Sequence, residues 1–187
     1  MSMKIAIIGA GSSYTPEIIE KLSEMKDALP VDEITLMDID EKRLGIMQGF
    51  CRRFAAKLGI NVIISATTDS GAAIDGVSFV ITQIRVGGNI ARATDERISI
   101  KHGLIGQETT GAGGFMKALR TIPAMLKVAR DVERYSPDAW IVNYANPTGI
   151  VAGAVLRHTK AKIAGLCAGG LIPARTAEAQ LGVERAS

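Results

Sequence analysis

The first turn of the chain has a residue pattern that suits binding of a pyrophosphate. One residue separates Gly9 from Gly11, and Ser12 and Ser13 follow them. Glycines permit a tight turn and a close approach of the backbone to phosphate, which then lies on the N–H groups of the following helix. Tyr14 replaces the third glycine of the usual G-x-G-x-x-G pattern. The pattern alone is weak evidence, since ordinary strand-to-helix turns also use glycine.

Asp38 adds a second feature of the same kind of site. It ends the second predicted strand, where a carboxylate accepts hydrogen bonds from the adenosine ribose hydroxyls. A carboxylate there favours NAD over NADP, because it would repel a 2′-phosphate. The alternative role for Asp38 is to cap the next helix, which Asp40 could do instead. The turn and Asp38 together predict a dinucleotide site.

Polar side chains also follow the later predicted strands, at Arg85, Asn143, Asn146 and Cys167. In open α/β sheets this edge binds ligands, although turn chemistry explains any one of these residues. Segment 106–114 (GQETTGAGG) differs, because nothing structural is expected to require Gln-Glu-Thr-Thr among so many glycines. We expect this loop to carry function.

Strands and helices alternate along the chain, which predicts an α/β fold with a doubly wound parallel sheet, a Rossmann-type NAD-binding domain. Strands are predicted at 4–8, 33–37, 61–65, 77–82, 139–143 and 162–166. Helices are predicted at 16–22, with Thr15 as its N-cap, and at 41–58, 70–74, 90–100, 115–135 and 148–158. This order places every candidate residue above at one edge of the sheet.

Composition limits the remaining classes of protein. The chain has 187 residues, 47% of them hydrophobic and 22% charged, with a formal net charge of +3, which indicates one soluble globular domain. No basic run indicates a nucleic-acid partner, and no apolar run indicates a membrane span. Cys51 and Cys167 give no disulfide framework, so we expect a cytoplasmic protein.

Six motifs in order resemble those of the NAD- and metal-dependent glycoside hydrolase family 4. They are residues 9–16 (GAGSSYTP), 82–88 (TQIRVGG), 106–111 (GQETTG), 119–123 (LRTIP), 143–147 (NYANP) and 165–167 (GLC). The RVGG and QETTG versions most resemble the 6-phospho-β-glucosidases. The family has Tyr-Thr-Pro where the third glycine would be, so Tyr14 fits the resemblance.

The resemblance implies NAD- and divalent-metal-dependent hydrolysis of 6-phospho-β-glucosides or phosphorylated disaccharides. NAD takes a hydride from C3 of the sugar, a base removes the C2 proton, and the C1 bond breaks by elimination. Water then adds and the hydride returns. The metal, usually manganese, polarises the C2 and C3 oxygens.

We assign site residues on the pattern and the resemblance together. The expected NAD-binding residues are Gly9, Gly11, Ser12, Ser13, Asp38, Gln83 and Arg85. The resemblance adds Arg92, Glu108 and Asn146 for the phosphorylated sugar and Cys167 for the metal.

Two departures from the family limit what we expect of the chain. Ala168 stands where the family has a polar Asn or Asp, which would weaken the metal site. The family's histidine metal ligand and tyrosine base belong to a further domain that also serves oligomerisation. We therefore expect an NAD-binding domain with sugar-site loops at 1–168 and the divergent start of a truncated C-terminal domain at 169–187. Such a chain would bind NAD and hydrolyse nothing appreciable, whereas the full-length family member would be a homo-oligomer.

Two other functions stay open at this point. One is a lactate/malate-type 2-hydroxyacid dehydrogenase, which needs a catalytic histidine after the Asn-Pro motif. His158 is the only histidine there, and it falls inside a predicted helix. The other is a non-catalytic nucleotide-binding fragment.

Overall fold

The computed structural model describes residues 3–167, 169, 176, 178 and 180–182. Six strands alternate with helices: β1 (Lys4–Ile8), β2 (Glu33–Met37), β3 (Ile63–Thr67), β4 (Phe79–Thr82), β5 (Trp140–Asn143) and β6 (Lys162–Gly165). The helices are α1 (Thr15–Glu24), α2 (Glu41–Lys57), α3 (Ser70–Ile74), α4 (Gly88–Lys101), α5 (Gly111–Tyr135) and α6 (Thr148–His158). None of these helices is long and apolar enough to cross a membrane.

All strand pairs are parallel, and the strand order is β3-β2-β1-β4-β5-β6. The chain moves outward from β1 to β3 and then crosses back to β4, on the other side of β1. This is the doubly wound order of Rossmann domains, so the predicted fold is confirmed. The order reverses between β1 and β4, and ligands of such sheets bind above that crevice, at the carboxyl ends of the strands.

Strand β1 is apolar throughout because both of its faces are covered. Ile5 and Ile7 belong to a buried cluster with residues of α1 and α2. Ala6 and Ile8 belong to a second cluster, with residues of α3, α5 and α6. Successive side chains of a strand point to opposite faces, so this central strand contributes to both cores and positions the turn that follows it.

Several boundaries differ from the sequence prediction, and three of these differences have a cause that the structure shows. Helix α5 begins at 111 rather than 115, because a preceding loop packs on its glycines. Strand β3 lies at 63–67 rather than 61–65, because the turn after α2 extends to Ile60, whose N–H donates to the carbonyl of Ala55. Thr15 is not the N-cap of α1, as its hydroxyl donates to the carbonyl of Ala10 at 2.8 Å and Tyr14 takes the cap position.

Candidate functional site

Asp38 is hydrogen-bonded to the glycine turn between β1 and α1. Its Oδ2 accepts a hydrogen bond from the N–H of Gly11 at 2.8 Å, and its Oδ1 accepts one from the N–H of Asp40 at 3.0 Å. The cap of α2 is Asp40, whose carboxylate accepts from the N–H of Arg43 at 3.0 Å. The alternative role of Asp38 as the cap of α2 is therefore wrong. Its carboxylate lies at the sheet edge beside the turn.

The two glycines of this turn leave no room for side chains. Gly9 has a φ of +88°, and a Cβ there would lie 3.1 Å from the carbonyl group of Gln83. A Cβ on Gly11 would lie 2.8 Å from Oδ2 of Asp38. No side chain caps the N-terminus of α1. The N–H of Thr15 donates to the carbonyl of Ser12 at 3.1 Å and Pro16 has no N–H, so the N–H of Glu17 is the first-turn group left to face an anion. The turn therefore has the bare backbone and the open helix end that a pyrophosphate needs.

Gln83 connects the end of β4 to the same turn. Its Nε2 donates to the hydroxyl of Thr15 at 2.7 Å, and that hydroxyl donates to the carbonyl of Ala10. Of the two serines, Ser12 accepts the N–H of Tyr14 on its Oγ at 3.2 Å, whereas Ser13 is exposed. The structure thus places these predicted NAD-binding residues on the two sides of the crevice between β1 and β4.

A second group of site residues forms a charge cluster around Glu108. Arg85, which follows β4, lies 2.5 Å from the carboxylate, and Lys117 of α5 lies 2.7 Å from the same oxygen, Oε2. Arg92 of α4 lies 3.6 Å from Oε1 and 2.8 Å from the carboxylate of Glu96. Arg85 was predicted to bind NAD and Glu108 to bind sugar, yet the two are in direct contact.

Burial and charge act in opposite directions on the ionisation of this cluster. Burial raises the pKa of Glu108, but its hydrogen bonds to Lys117 and Arg85 outweigh that effect and hold the pKa below its ordinary value. Burial lowers the pKa of Lys117, and Glu108 offsets only part of that change. Because its pKa lies below 4.5, Glu108 is ionised at neutral pH.

Segment 106–110 between α4 and α5, here the 106–110 loop, has a structural reason for most of its residues. Oε1 of Gln107 lies 2.6–3.1 Å from the backbone nitrogens and hydroxyls of Thr109 and Thr110. A Cβ on Gly113 would lie 2.0 Å from the carbonyl oxygen of Gln107, and one on Gly114 would lie 2.7 Å from Thr109. The expectation that nothing structural requires this motif is therefore wrong for Gln107, Thr109, Thr110, Gly113 and Gly114. Their contacts hold in place the loop that carries Glu108.

The remaining candidates lie at the end of β5 or after β5 and β6. Asn143 is buried, accepts the hydroxyl of Thr82 at 2.8 Å and donates to the carbonyl of Ala145, so its role is to order the turn. Asn146 Oδ1 lies 3.3 Å from the hydroxyl of Thr148, which also lies 3.4 Å from the carbonyl of Leu166. These contacts place Asn146 beside the end of β6.

Cys167 is exposed after β6, and its Sγ accepts the N–H of Gly169 at 3.3 Å. Among the residues with described positions, no group of three or more His, Cys, Asp or Glu side chains could hold a metal ion. Ala168, and most of the predicted segment 169–187, lie outside the described residues.

Sequence reasoning missed Lys117 and Arg43. Lys117 is 3% exposed, and Arg43 donates from Nη2 to the carbonyl of Gly11 at 2.9 Å. A signal for Lys117 was present, since it lies three residues after Gly114 and four before Thr121 on the buried stripe of α5. A lysine on such a stripe needs an acidic partner, because an unpaired buried charge is costly.

The fold and the site together define a dinucleotide-binding α/β domain with an adjoining cluster of cationic side chains. A family model described as "Family 4 glycosyl hydrolase" matches residues 4–179. The chain belongs to this family, as the sequence motifs predicted. The alternative of a lactate/malate-type dehydrogenase is therefore wrong.

Similar proteins agree with this membership. The chain is 48% identical over 168 residues to a probable 6-phospho-beta-glucosidase of Bacillus subtilis, covering 88% of this chain and 38% of that protein. It is 40% identical over 167 residues to a maltose-6'-phosphate glucosidase of the same organism, covering 89% of this chain and 37% of that protein. The chain thus spans less than two-fifths of the length of these relatives.

A solved structure of a relative has the same fold. The 6-phospho-beta glucosidase of Thermotoga maritima, solved with manganese, NAD+ and glucose-6-phosphate, superposes with a TM-score of 0.89 at 36% identity. The superposition covers 97% of this chain and 44% of that one.

Proposed function

We propose that this chain is the NAD-binding portion of a 6-phospho-β-glucosidase that works by the redox and elimination route of its family. The observation that carries the proposal is the hydrogen bond between Asp38 and Gly11 at the point where the strand order reverses. The proposal sets the carboxylate that would bind the ribose beside the turn that would bind the phosphates, in the arrangement that dinucleotides need. In this proposal residues 1–168 form the NAD-binding domain with its sugar-site loops, and 169–187 begin a further domain.

The described residues fit NAD. The bare turn at Gly9 and Gly11 and the open end of α1 would take the pyrophosphate. Each oxygen of Asp38 accepts one backbone N–H, which leaves lone pairs for the ribose hydroxyls. NAD supplies a hydride acceptor at this edge when it is bound. The chain's own residues orient the cofactor and exclude a 2′-phosphate through the charge of Asp38.

The charge cluster supports a phosphorylated ligand. Arg85, Arg92 and Lys117 share two carboxylates, Glu96 and Glu108, so one positive charge stays uncompensated. The side chains of Arg85 and Arg92 are about 40% exposed, at 37% and 43%, and the planar guanidinium group pairs well with phosphate oxygens. We propose that these arginines and Asn146 face the sugar phosphate, with Glu108 in the sugar pocket.

The described residues do not form a manganese site by themselves, because they offer Cys167 but no cluster of three candidate ligands. Manganese prefers oxygen and imidazole ligands over thiolate. Cys167 therefore enters the proposal as a single ligand, and no step of the reaction is assigned to a metal on this portion of the chain.

Calorimetric titration of the 187-residue chain with NAD tests the cofactor proposal. We expect NAD to bind, and Asp38→Ala to weaken binding by about tenfold or more, since a charge-assisted hydrogen bond contributes about 1.5–3 kcal/mol. NADP should bind the wild-type chain more weakly than NAD. Asp27→Ala is the matched control, because Asp27 is an exposed aspartate in the α1–β2 loop at the opposite edge of the sheet. A folded wild-type chain that gives no heat with NAD would overturn the proposal.

A chromogenic 6-phospho-β-glucoside tests hydrolysis. We expect the 187-residue chain with NAD and manganese to release no measurable product, because its described residues form no metal centre. Turnover by the purified chain would contradict this expectation. Turnover of the α-anomer in preference to the β-anomer, by a protein containing this portion, would overturn the proposed anomeric specificity.

A further inference from the structure

Lys117 is a buried cation with a partner but no role in the proposed reaction. Its side chain is 4% exposed, and its Nζ donates to Oε2 of Glu108 at 2.7 Å. Lys117 projects from the first turns of α5, and Glu108 comes from the 106–110 loop that packs on the same helix. The pair therefore connects a helix to the loop that presents Glu108.

The three cations around Glu108 differ in how firmly they can hold it. The side chains of Arg85 and Arg92 are 37% and 43% exposed, and Arg92 also pairs with Glu96. Ion pairs of exposed side chains are screened by water and contribute little to a fixed geometry. The ammonium of Lys117 is shielded from water, and loss of either partner would leave the other charge poorly compensated. Of the three, Lys117 is the one that can fix the carboxylate.

We infer that Lys117 is a positioning residue that holds the Glu108 carboxylate in place while Arg85 and Arg92 turn toward the phosphorylated sugar. This inference rests on the proposed function, in which those arginines and Glu108 face that ligand. Lys117 does not touch the ligand. It acts through Glu108, whose carboxylate would otherwise move with the arginine side chains when they turn toward the ligand.

A double-mutant cycle between Lys117 and Glu108 tests this role. Lys117→Met, Glu108→Gln and the double variant are compared for their affinity for glucose 6-phosphate, by NMR titration of the NAD-loaded chain. We expect Lys117→Met to weaken that affinity by about tenfold and to leave NAD affinity within about twofold. In the Glu108→Gln background, Lys117→Met should change the affinity no further. Additive losses would show that Lys117 acts on the ligand directly and would overturn the inference.

The ionisation of Glu108 gives a second readout that does not need the ligand. In Lys117→Met the pKa of Glu108, followed by carboxylate ¹³C NMR, should rise by about one pH unit or more. Lys127→Met is the control, since Lys127 lies on the same helix and pairs with Asp131 at 2.8 Å but has a side chain 69% exposed. It should leave both the pKa of Glu108 and the sugar-phosphate affinity unchanged. An unchanged pKa in Lys117→Met would overturn the inference.

The inference also stays testable if Lys117→Met does not fold or if the wild-type chain does not bind glucose 6-phosphate. If Lys117→Met does not fold, Glu108→Gln is compared with the double variant. The double variant has no unpaired Glu108 carboxylate, so it is expected to fold. Equal affinities of those two support the inference, and unequal ones overturn it. A wild-type chain that binds NAD but no glucose 6-phosphate would overturn the sugar site of the proposed function and this inference with it. The dinucleotide site would then still stand.

Discussion

At the scale of single residues, Gly11 and Asp38 depend on each other. The N–H of Gly11 donates to the carboxylate of Asp38, and the absence of a side chain on Gly11 is what lets that carboxylate approach. A glycine that needs backbone freedom at a positive φ, such as Gly9, differs from one that needs space. Gly11 is the second kind, so its substitution acts on Asp38 more than on the backbone.

Gly11→Ala should therefore weaken NAD binding by about tenfold or more, because the new Cβ would displace the carboxylate that we propose faces the ribose. We expect a loss of about 1–2 kcal/mol in the free energy of unfolding, from the broken hydrogen bond and the overpacking. Calorimetry and urea unfolding measure the two effects. Gly45→Ala, in α2 with no atom within 4 Å of its Cβ, is the control and should stabilise the chain slightly. Undiminished NAD affinity in Gly11→Ala would contradict this account.

The sequence did not decide whether Asp38 or Asp40 caps α2. Asp38 and Asp40 are both acidic residues before a helix, and local spacing permits either as the cap. The deciding contact, from Gly11 to Asp38, joins residues 27 positions apart and follows from strand pairing, which single-sequence patterns do not give. Lys117 was missed for the same reason, since its partner depends on how the 106–110 loop packs.

At the scale of elements, α4 and α5 are connected by an ion pair as well as by packing. Asp95 of α4 is 4% exposed, and its carboxylate accepts two hydrogen bonds from the guanidinium of Arg120 of α5. Arg92 on α4 and Lys117 on α5 belong to the charge cluster. The relative placement of the two helices thus sets the geometry around Glu108.

Asp95→Ala should lower the free energy of unfolding by about 2 kcal/mol, less than the full value for a buried pair because Arg120 is partly exposed. Urea denaturation measures the loss. Thr94→Ala, at the neighbouring exposed position of α4, should change stability by less than about 0.5 kcal/mol. Equal effects of the two substitutions would show that the pair does not hold the helices together.

The charge cluster also gives stability a dependence on pH. A carboxyl group whose folded-state pKa lies below its ordinary value of 4.5 stabilises the fold above that pH. This stabilisation is lost as the pH falls through the folded-state pKa. The difference in unfolding free energy between wild type and Glu108→Gln should therefore be constant near neutral pH and shrink below about pH 4.5. Urea unfolding at a series of pH values measures it, and a difference that grew on acidification would refute the assignment.

Element boundaries show which parts of the fold a single sequence determines. The bounds of β1, β2, α3 and α6 were predicted correctly, because buried apolar runs and local helix signals set them. The start of α5 was not, because Gly111, Gly113 and Gly114 have the composition of a loop. Gly113 and Gly114 lie in the first turn of α5, and the 106–110 loop packs against both of them. That contact is tertiary, and composition does not reveal it.

At the scale of the whole molecule, the residues that stabilise the sheet are separate from the residues proposed to bind ligands. The apolar clusters lie on the two faces of the sheet, and the candidate residues lie at the carboxyl edge, where parallel strands leave turns open. A ligand bound at that edge joins β1, β2 and β4, which come from distant parts of the sequence. Binding there should therefore stabilise the domain as a unit.

Saturating NAD should raise the melting temperature of the chain by about 5–10 °C, since ligand at about a hundred times its Kd adds about 2.7 kcal/mol. Differential scanning calorimetry with increasing NAD measures this shift. The same concentrations should shift Asp38→Ala by about half as much or less, since NAD at about ten times the Kd of a tenfold weaker variant adds about 1.4 kcal/mol. A melting temperature that did not respond to NAD in the wild-type chain would contradict a binding site at the switch point of the sheet.

The two cysteines make the chain a substrate for single-site chemical labelling. Cys51 is fully buried, and burial raises the pKa of its thiol to about 11, so it stays protonated and unreactive at neutral pH. Cys167 is exposed at the carboxyl edge of the sheet. Iodoacetamide should therefore add once to the native chain, at Cys167, and twice after unfolding, as intact and peptide masses would show; two adducts on the native chain would contradict the burial of Cys51. A thiol-reactive fluorophore attached at Cys167 becomes an optical reporter at the edge where the cofactor is proposed to bind.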